Sequence, residues 1–216
     1  MIEVRHYPEE TQAIAGRSYR LAEMKPDEAE AFNNWLAYRL GHLHPILQQH
    51  VINNAEAIFK LIRAVKVKTK QDFKGEVARS NELTLKFIDE DDINSGAPFV
   101  KTVTNGWQNF IGSESAQRTM DEDKAEIYLA FVNPVDTPLA RKLRFVKDGD
   151  AYVIRDLEYD TRFDRKYVPT ALLQHVWSIP PESKFYVRVK YLASGTDALT
   201  PIGFRVVKAT ELMTEA

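Results

Sequence analysis

No cysteine occurs in the 216 residues, which excludes a disulfide framework, a thiolate zinc site and a cysteine nucleophile. Glycine is scarce, nine in all, and none forms a Gly-x-x-x-x-Gly-Lys loop, a Gly-x-Gly-x-x-Gly turn or a Gly-x-Ser-x-Gly elbow. Phosphate cradles, dinucleotide folds and hydrolase elbows therefore lose their usual sequence support. No apolar run approaches the roughly 18 residues of a membrane-spanning helix, and no membrane partner is expected. Met1 to Tyr7 carries Glu3, Arg5 and His6 in place of the apolar core of a signal peptide, so a soluble protein is expected, virion-borne or cytoplasmic. A net charge of −2 gives no bulk attraction to nucleic acid, and any such binding needs a local patch.

What is present is 44% hydrophobic, 28% charged and 11% aromatic, the range of a folded soluble protein with one sizeable core. The clearest stretch runs from Pro26 to Val65. Phe32, Trp35, Leu36 and Leu40 recur at helical spacing, and so do Leu47, Val51, Ala55, Ile58 and Ile62. Pro26 suits a first helical turn, Asp27, Glu28 and Glu30 complement the dipole there, and Gly41 supplies a stop. Pro45 opens a second helix to about Val65, which predicts an antiparallel helical hairpin. Before it, Met1 to Tyr7 reads as an extended arm or frayed end, Pro8 to Gly16 as a short helix, and Arg17 to Met24 as extended chain.

After the hairpin, Val65, Val67 and Thr69 alternate with Lys66, Lys68 and Lys70, the period of an edge strand with a lysine face, the alternative being that the stretch prolongs the helix. Gln71 to Glu82 reads as loop with one helical turn. From Leu83 the chain changes to short alternating runs separated by turn signals. Leu83, Leu85 and Phe87 form one inward row, and Ile127, Leu129 and Phe131 another. Asn105-Gly106 predicts a tight hairpin with Val100 opposite Ile111 and Lys101 opposite Phe110. Asp148-Gly149 predicts a second, pairing Phe145 with Tyr152, Leu143 with Ile154 and Arg141 with Asp156, and setting Lys142 against Arg155 on a face that is wet or meets acidic groups. Ser113 to Lys124 is polar loop or a short capped helix. Val168 to Trp177 reads as a helix with Leu172, Leu173 and Val176 as its stripe. Lys184 to Leu192 and Pro201 to Lys208 read as a last hairpin, and Glu211 to Ala216 as a loose tail.

These elements give an α+β fold: an N-terminal antiparallel helical hairpin packed on a mainly antiparallel β-sandwich or jelly-roll-like body of about eight strands. The division falls at residues 1–82, arm and hairpin, and 83–216, the β body.

Candidate chemistry is thin. His42, His44 and His50 cluster in sequence, but off the i, i+4 face of a helical metal pair, and His6 and His175 are isolated. Asp89 to Asp92 with Asn94 and Gly96 suggests a calcium loop, yet Ile93 stands where an oxygen ligand is needed. Glu158, Asp160 and Asp164 with Arg165 and Lys166 have the acid-plus-cation content of a metal-dependent nuclease at a generic spacing. Phe185, Tyr186, Arg188, Lys190 and Tyr191 mix aromatic and basic residues as a nucleic-acid platform does, without the glycine-bearing RNA-recognition signature. No residue is assigned a catalytic, cofactor-binding or metal-ligating role, and the acidic loops are expected to be exposed. The function expected is structural: assembly through contacts with other protein subunits, as a homo- or hetero-oligomer, in the form of a virion or tail component of a bacterial virus. The alternatives are a metal-dependent hydrolase or nuclease using the acidic loops, and a nucleic-acid-binding module.

Overall fold

The computed structural model describes residues 11–14, 17–20, 26–41, 43, 45–94, 99–154, 157 and 170–214. In chain order they form β1 (Thr11–Ile14), β2 (Arg17–Arg20), α1 (Pro26–Leu40), α2 (Pro45–Asn53), α3 (Ala55–Thr69), β3 (Leu83–Phe87), α4 (Glu90–Asn94), β4 (Lys101–Val103) and β5 (Gly106–Ile111). There follow β6 (Arg118–Thr119), β7 (Ala125–Val132), β8 (Ala140–Lys147), β9 (Asp150–Ile154), β10 (Thr170–Ile179), β11 (Lys184–Tyr191), β12 (Gly195–Asp197), β13 (Thr200–Lys208) and α5 (Ala209–Thr214). The fold is α+β with a sandwich body, as the sequence predicts. A four-stranded antiparallel sheet, ordered β10-β7-β13-β3, lies between a layer of helices and a five-stranded sheet, ordered β5-β11-β8-β9 with β6 also on β11.

The helices form where the apolar stripes predict them. Phe32, Trp35 and Leu36 of α1 and Ile58, Phe59, Ile62 and Val65 of α3 are buried with Leu85, Ile127, Phe204 and Val206 of the sheet. Trp35 meets Phe204 edge-on at 5.0 Å, and Phe32 meets Phe59 at 5.2 Å. The expected second helix is two, broken at Asn54. The Asn54 side-chain amide donates to the His50 carbonyl at 2.8 Å, competing with the backbone for that acceptor. Of the two readings for the lysine-rich stretch after Val65, the helix forms and the strand does not: the stretch is the last turn of α3, which ends with Lys70 left-handed at φ 62°. Tertiary pairing overrides the β-branched pattern there, because Lys66 turns inward to the fully buried Glu28 at 2.6 Å. On the other side of α1, β1 occupies part of the stretch read as a short N-terminal helix, paired with β2.

The second core lies between the sheets. Trp177 of β10 stacks on Phe145 of β8 at 4.5 Å and 5°, with Phe131, Phe185, Val187 and Val189 around them. The Asp148-Gly149 hairpin has the expected register, Phe145 opposite Tyr152 and Leu143 opposite Ile154. Both turn residues have positive φ, 50° and 95°, as a type I′ turn requires. At Asn105-Gly106 only the glycine does, at 110°, and no hairpin closes. β4 pairs with β12 and β5 with β11, so the turn hands the chain from a two-stranded ribbon to the five-stranded sheet. The last expected hairpin also opens: β11 and β13 belong to different sheets, and the residues between them supply β12.

Two further corrections share one cause. Both neighbours of β7 skip Leu129, since Ala130 and Tyr128 face Ile202 and Gly203 on one side and Leu172 and Trp177 on the other. This bulge shifts the phase of alternation. Ile127 and Leu129 face the helices, but Phe131 enters the inter-sheet core. β10 bulges at the same place, and its Leu172, Leu173 and Val176 acquire a spacing that imitates a helix. The tail is ordered as α5 through Thr214. The expectations for Met1 to Tyr7, and those for Arg155, Asp156 and Glu158 to Lys166, lie outside the described residues.

Candidate functional site

Two collections of charged side chains on the sheets bear on function. The first is interior. Lys86, Arg205 and Glu126 stand opposite one another on β3, β13 and β7, on the sheet face away from the helices. Arg205 donates through Nε to Glu126 at 2.8 Å and through Nη1 to Asp92 of α4. Lys86 reaches Asp92 at 3.0 Å, Arg118 reaches Glu126 at 3.1 Å, and the Tyr128 hydroxyl donates to Glu126 at 2.7 Å. Burial alone would lower the Arg205 pKa, but the Glu126 and Asp92 carboxylates outweigh it and hold the guanidinium above its ordinary value. Burial pushes the Asp92 carboxyl up, against the pull of Arg205 and Lys86. Burial, reinforced by Glu126, raises Tyr128 well above the usual phenol. Each carboxylate is thus held by cations inside a packed wall, which is structural chemistry.

This corrects the expectation of an exposed acidic run at Asp92, while Asp91 is exposed and Asp89 and Glu90 are half-buried. Asp89 and Asp92 exchange backbone bonds, Asp92 N–H to Asp89 at 2.9 Å and Asp89 N–H to Asp92 at 3.1 Å, in the manner of a capping box. Asp92 then turns inward at 6% exposure. Among the described residues no three His, Asp or Glu side chains converge to hold a metal. His50 answers the bulge, donating from Nε2 to the Leu129 carbonyl at 3.1 Å, and burial lowers its pKa. His175 lies exposed on β10, while His6, His42 and His44 fall outside the described residues. Asp197 is similarly engaged, accepting from Asn133 at 2.8 Å and from the Leu139 and Ala140 N–H groups at 3.2 Å.

The second collection faces outward. Leu143, Phe145, Val187 and Val189 point into the inter-sheet core, so alternation sends Lys142, Arg144, Arg188 and Lys190 to the other face of the five-stranded sheet. There Arg188 lies directly opposite Arg144, and Lys190 opposite Lys142. Like charges so placed repel. All four are partly exposed, and among the described residues no carboxylate pairs with any of them. The Nε–H donors of Arg144 and Arg188 are buried without an acceptor. Arg144 lies over the Trp107 ring of β5 at 5.2 Å, and Arg188 reaches the Trp107 carbonyl at 3.4 Å. Beside Arg188, a shallow cleft of about 390 Å³ is lined by Asn109, Ser113, Glu114 and Ser115.

Sequence reasoning identified half of this face. It picked out Arg188 and Lys190, and placed Phe185 and Tyr191 on the core side, where they are 0% and 1% exposed. It set Lys142 against Arg155, and missed the pairing of β8 with β11 that puts Lys142 and Arg144 against two more cations. The signal available was the alternation of basic residues in both runs, Lys-x-Arg at 142–144 and Arg-x-Lys at 188–190.

No protein-family model and no curated protein sequence matches the chain. Among solved structures, the mosquito-larvicidal Cry4Aa toxin of Bacillus thuringiensis is similar at 9% identity and TM-score 0.29, over 63% of this chain and 24% of that one. A family GH115 4-O-methyl-α-glucuronidase, BtGH115A, is similar at 16% identity and TM-score 0.25, over 49% and 14%. The chain thus spans about a quarter of the toxin and less of the glucuronidase. A family 35 carbohydrate binding module from Clostridium thermocellum is similar at 12% identity and TM-score 0.23, over 61% of this chain and 96% of the module, and likenesses at this level carry no argument about what the chain does.

Proposed function

We propose that this chain is a structural protein that works in assembly, holding other protein subunits through its surface rather than transforming a substrate in a pocket. The observation that supports the reading is the outward face of the five-stranded sheet, where Arg144 opposes Arg188 and Lys142 opposes Lys190 and, among the described residues, no carboxylate is ion-paired with any of the four. A fold that keeps like charges in register gives up stability that a partner of opposite charge restores. The interior carboxylates do not compete for that role, since Glu126 and Asp92 are held by Arg205, Lys86 and Arg118.

Sedimentation velocity over a wide concentration range, at low and high salt, tests the reading. The expected result is association, with itself or with an added acidic protein, that weakens as salt screens the face. A chain that stays monomeric and binds no protein overturns it. So does a thermal upshift with magnesium, manganese or calcium that disappears on Asp160→Asn and Asp164→Asn, which would restore the metal-dependent hydrolase. A ligand at about 100 times its dissociation constant adds roughly 2.7 kcal/mol, well within reach of that measurement.

A further inference from the structure

We propose that the cationic sheet face docks an extended acidic segment of a protein chain, one whose carboxylates recur at alternate residues. The inference rests on the assembly reading and supplies the chemistry of the partner. On each of two adjacent strands the cations recur two residues apart, Lys142 and Arg144 on β8, Arg188 and Lys190 on β11. At roughly 3.4 Å per residue, each pair is spaced by about 6.8 Å. Alternate side chains of an extended peptide have that same repeat, so successive carboxylates on one edge of the segment meet successive rows of cations. The second row is built of arginines, whose planar fork takes a carboxylate through two parallel N–H bonds. The Nε–H groups of Arg144 and Arg188 have no acceptor among the described residues, so neither guanidinium is tied to a carboxylate by that edge.

The competing polyanion is a single nucleic-acid strand. Its sequence-independent binding draws on free aromatic faces for its bases as well as on cations. Here the rings are engaged. Arg144 already covers Trp107 at 5.2 Å, Tyr186 is only 7% exposed, and Phe185 and Tyr191 are in the core. Charge without stacking surface favours carboxylates on a polypeptide.

Trp107 makes the test direct, because it is partly exposed next to the cations while Trp35 and Trp177 are buried. The full chain is titrated, with tryptophan emission as the readout, against three probes of equal charge. These are a peptide with glutamate at every second residue, a peptide of the same composition with its glutamates in one block, and a single-stranded oligonucleotide. The alternating peptide is expected to bind saturably and most tightly, to weaken with salt, and to give no signal with Trp107→Phe. Arg144→Gln with Arg188→Gln should weaken it about tenfold or more, the range for charge-assisted hydrogen bonds. Thermal unfolding of that double variant should show stability kept or raised, since an opposed pair of like charges is removed. Tighter binding of the oligonucleotide overturns the inference in favour of a nucleic-acid partner. Equal binding of the two peptides overturns the alternating geometry. If no probe binds while the chain still associates in sedimentation, the face is not the docking surface and the assembly reading stands. If no probe binds and the chain is monomeric, both fall.

Discussion

Arg205 on β13 lies directly opposite Glu126 on β7, and its Nε–H donates to that carboxylate at 2.8 Å where Glu126 is 0% exposed. Asp92, Lys86 and Arg118 complete the charge balance around them. Removing one partner leaves its neighbours charged and uncompensated. Glu126→Gln is expected to destabilise the protein by about 3 to 5 kcal/mol. The double change Glu126→Leu with Arg205→Met should cost clearly less than the sum of the single ones. Chemical denaturation of Glu126→Gln and of the four proteins of that cycle checks both statements.

Trp35 is 1% exposed and sits between the α1 helix and Phe204 of the sheet. Trp35→Ala should cost about 3 to 5 kcal/mol through the cavity it leaves. Unchanged stability in urea would mean that the helical layer is not held by this contact.

Two glycines are expected to respond to alanine for different reasons. At Gly203 an added Cβ would lie 2.1 Å from the Ile127 carbonyl oxygen, so the strand itself would have to move. Gly149 has nothing within 4 Å of that position and only its φ of 95° to object. Gly149→Ala should therefore cost about 1 to 2 kcal/mol from conformational strain. Gly203→Ala should cost more, and the order of the two midpoints in thermal unfolding tests it.

His50 carries a pH dependence. Burial lowers its folded-state pKa below the ordinary 6.5, so the unfolded chain binds the proton more readily. Its contribution to stability is full above that unfolded value and is lost as pH falls through about 6.5 toward the lower folded value. His50→Gln keeps a side-chain donor for the Leu129 carbonyl and removes the titration. The slope of stability against pH below neutrality should flatten in that variant; an unchanged slope would assign the dependence elsewhere.

What could be read from the sequence was what is local. The stripes on α1 and α3 state their buried faces because helical spacing needs no distant partner. The Asp148-Gly149 turn fixed its own register for the same reason. Asn105-Gly106 looked equally strong, but the strands beside it are claimed by β12 and β11, which arrive some eighty residues later. The bulge at Leu129 was invisible because two separate neighbours impose it. The cationic face was half legible on the same principle: one strand shows its own alternation, while the strand it is set against is a fact of topology.

The pairing of β13 with β3 joins residues 204–208 to residues 83–87, and the Ala209 N–H then bonds the Glu82 carbonyl at 3.0 Å. On the ribosome this ordering has a direct result. The helices α1 to α3 emerge with their apolar stripe, yet Phe204 and Val206, which help cover it, are made more than a hundred residues later. Until β13 is made and slots between β7 and β3, that stripe has an incomplete counterpart. Chains arrested before residue 200 should be cut readily by protease within α1 to α3, and chains released past α5 should resist.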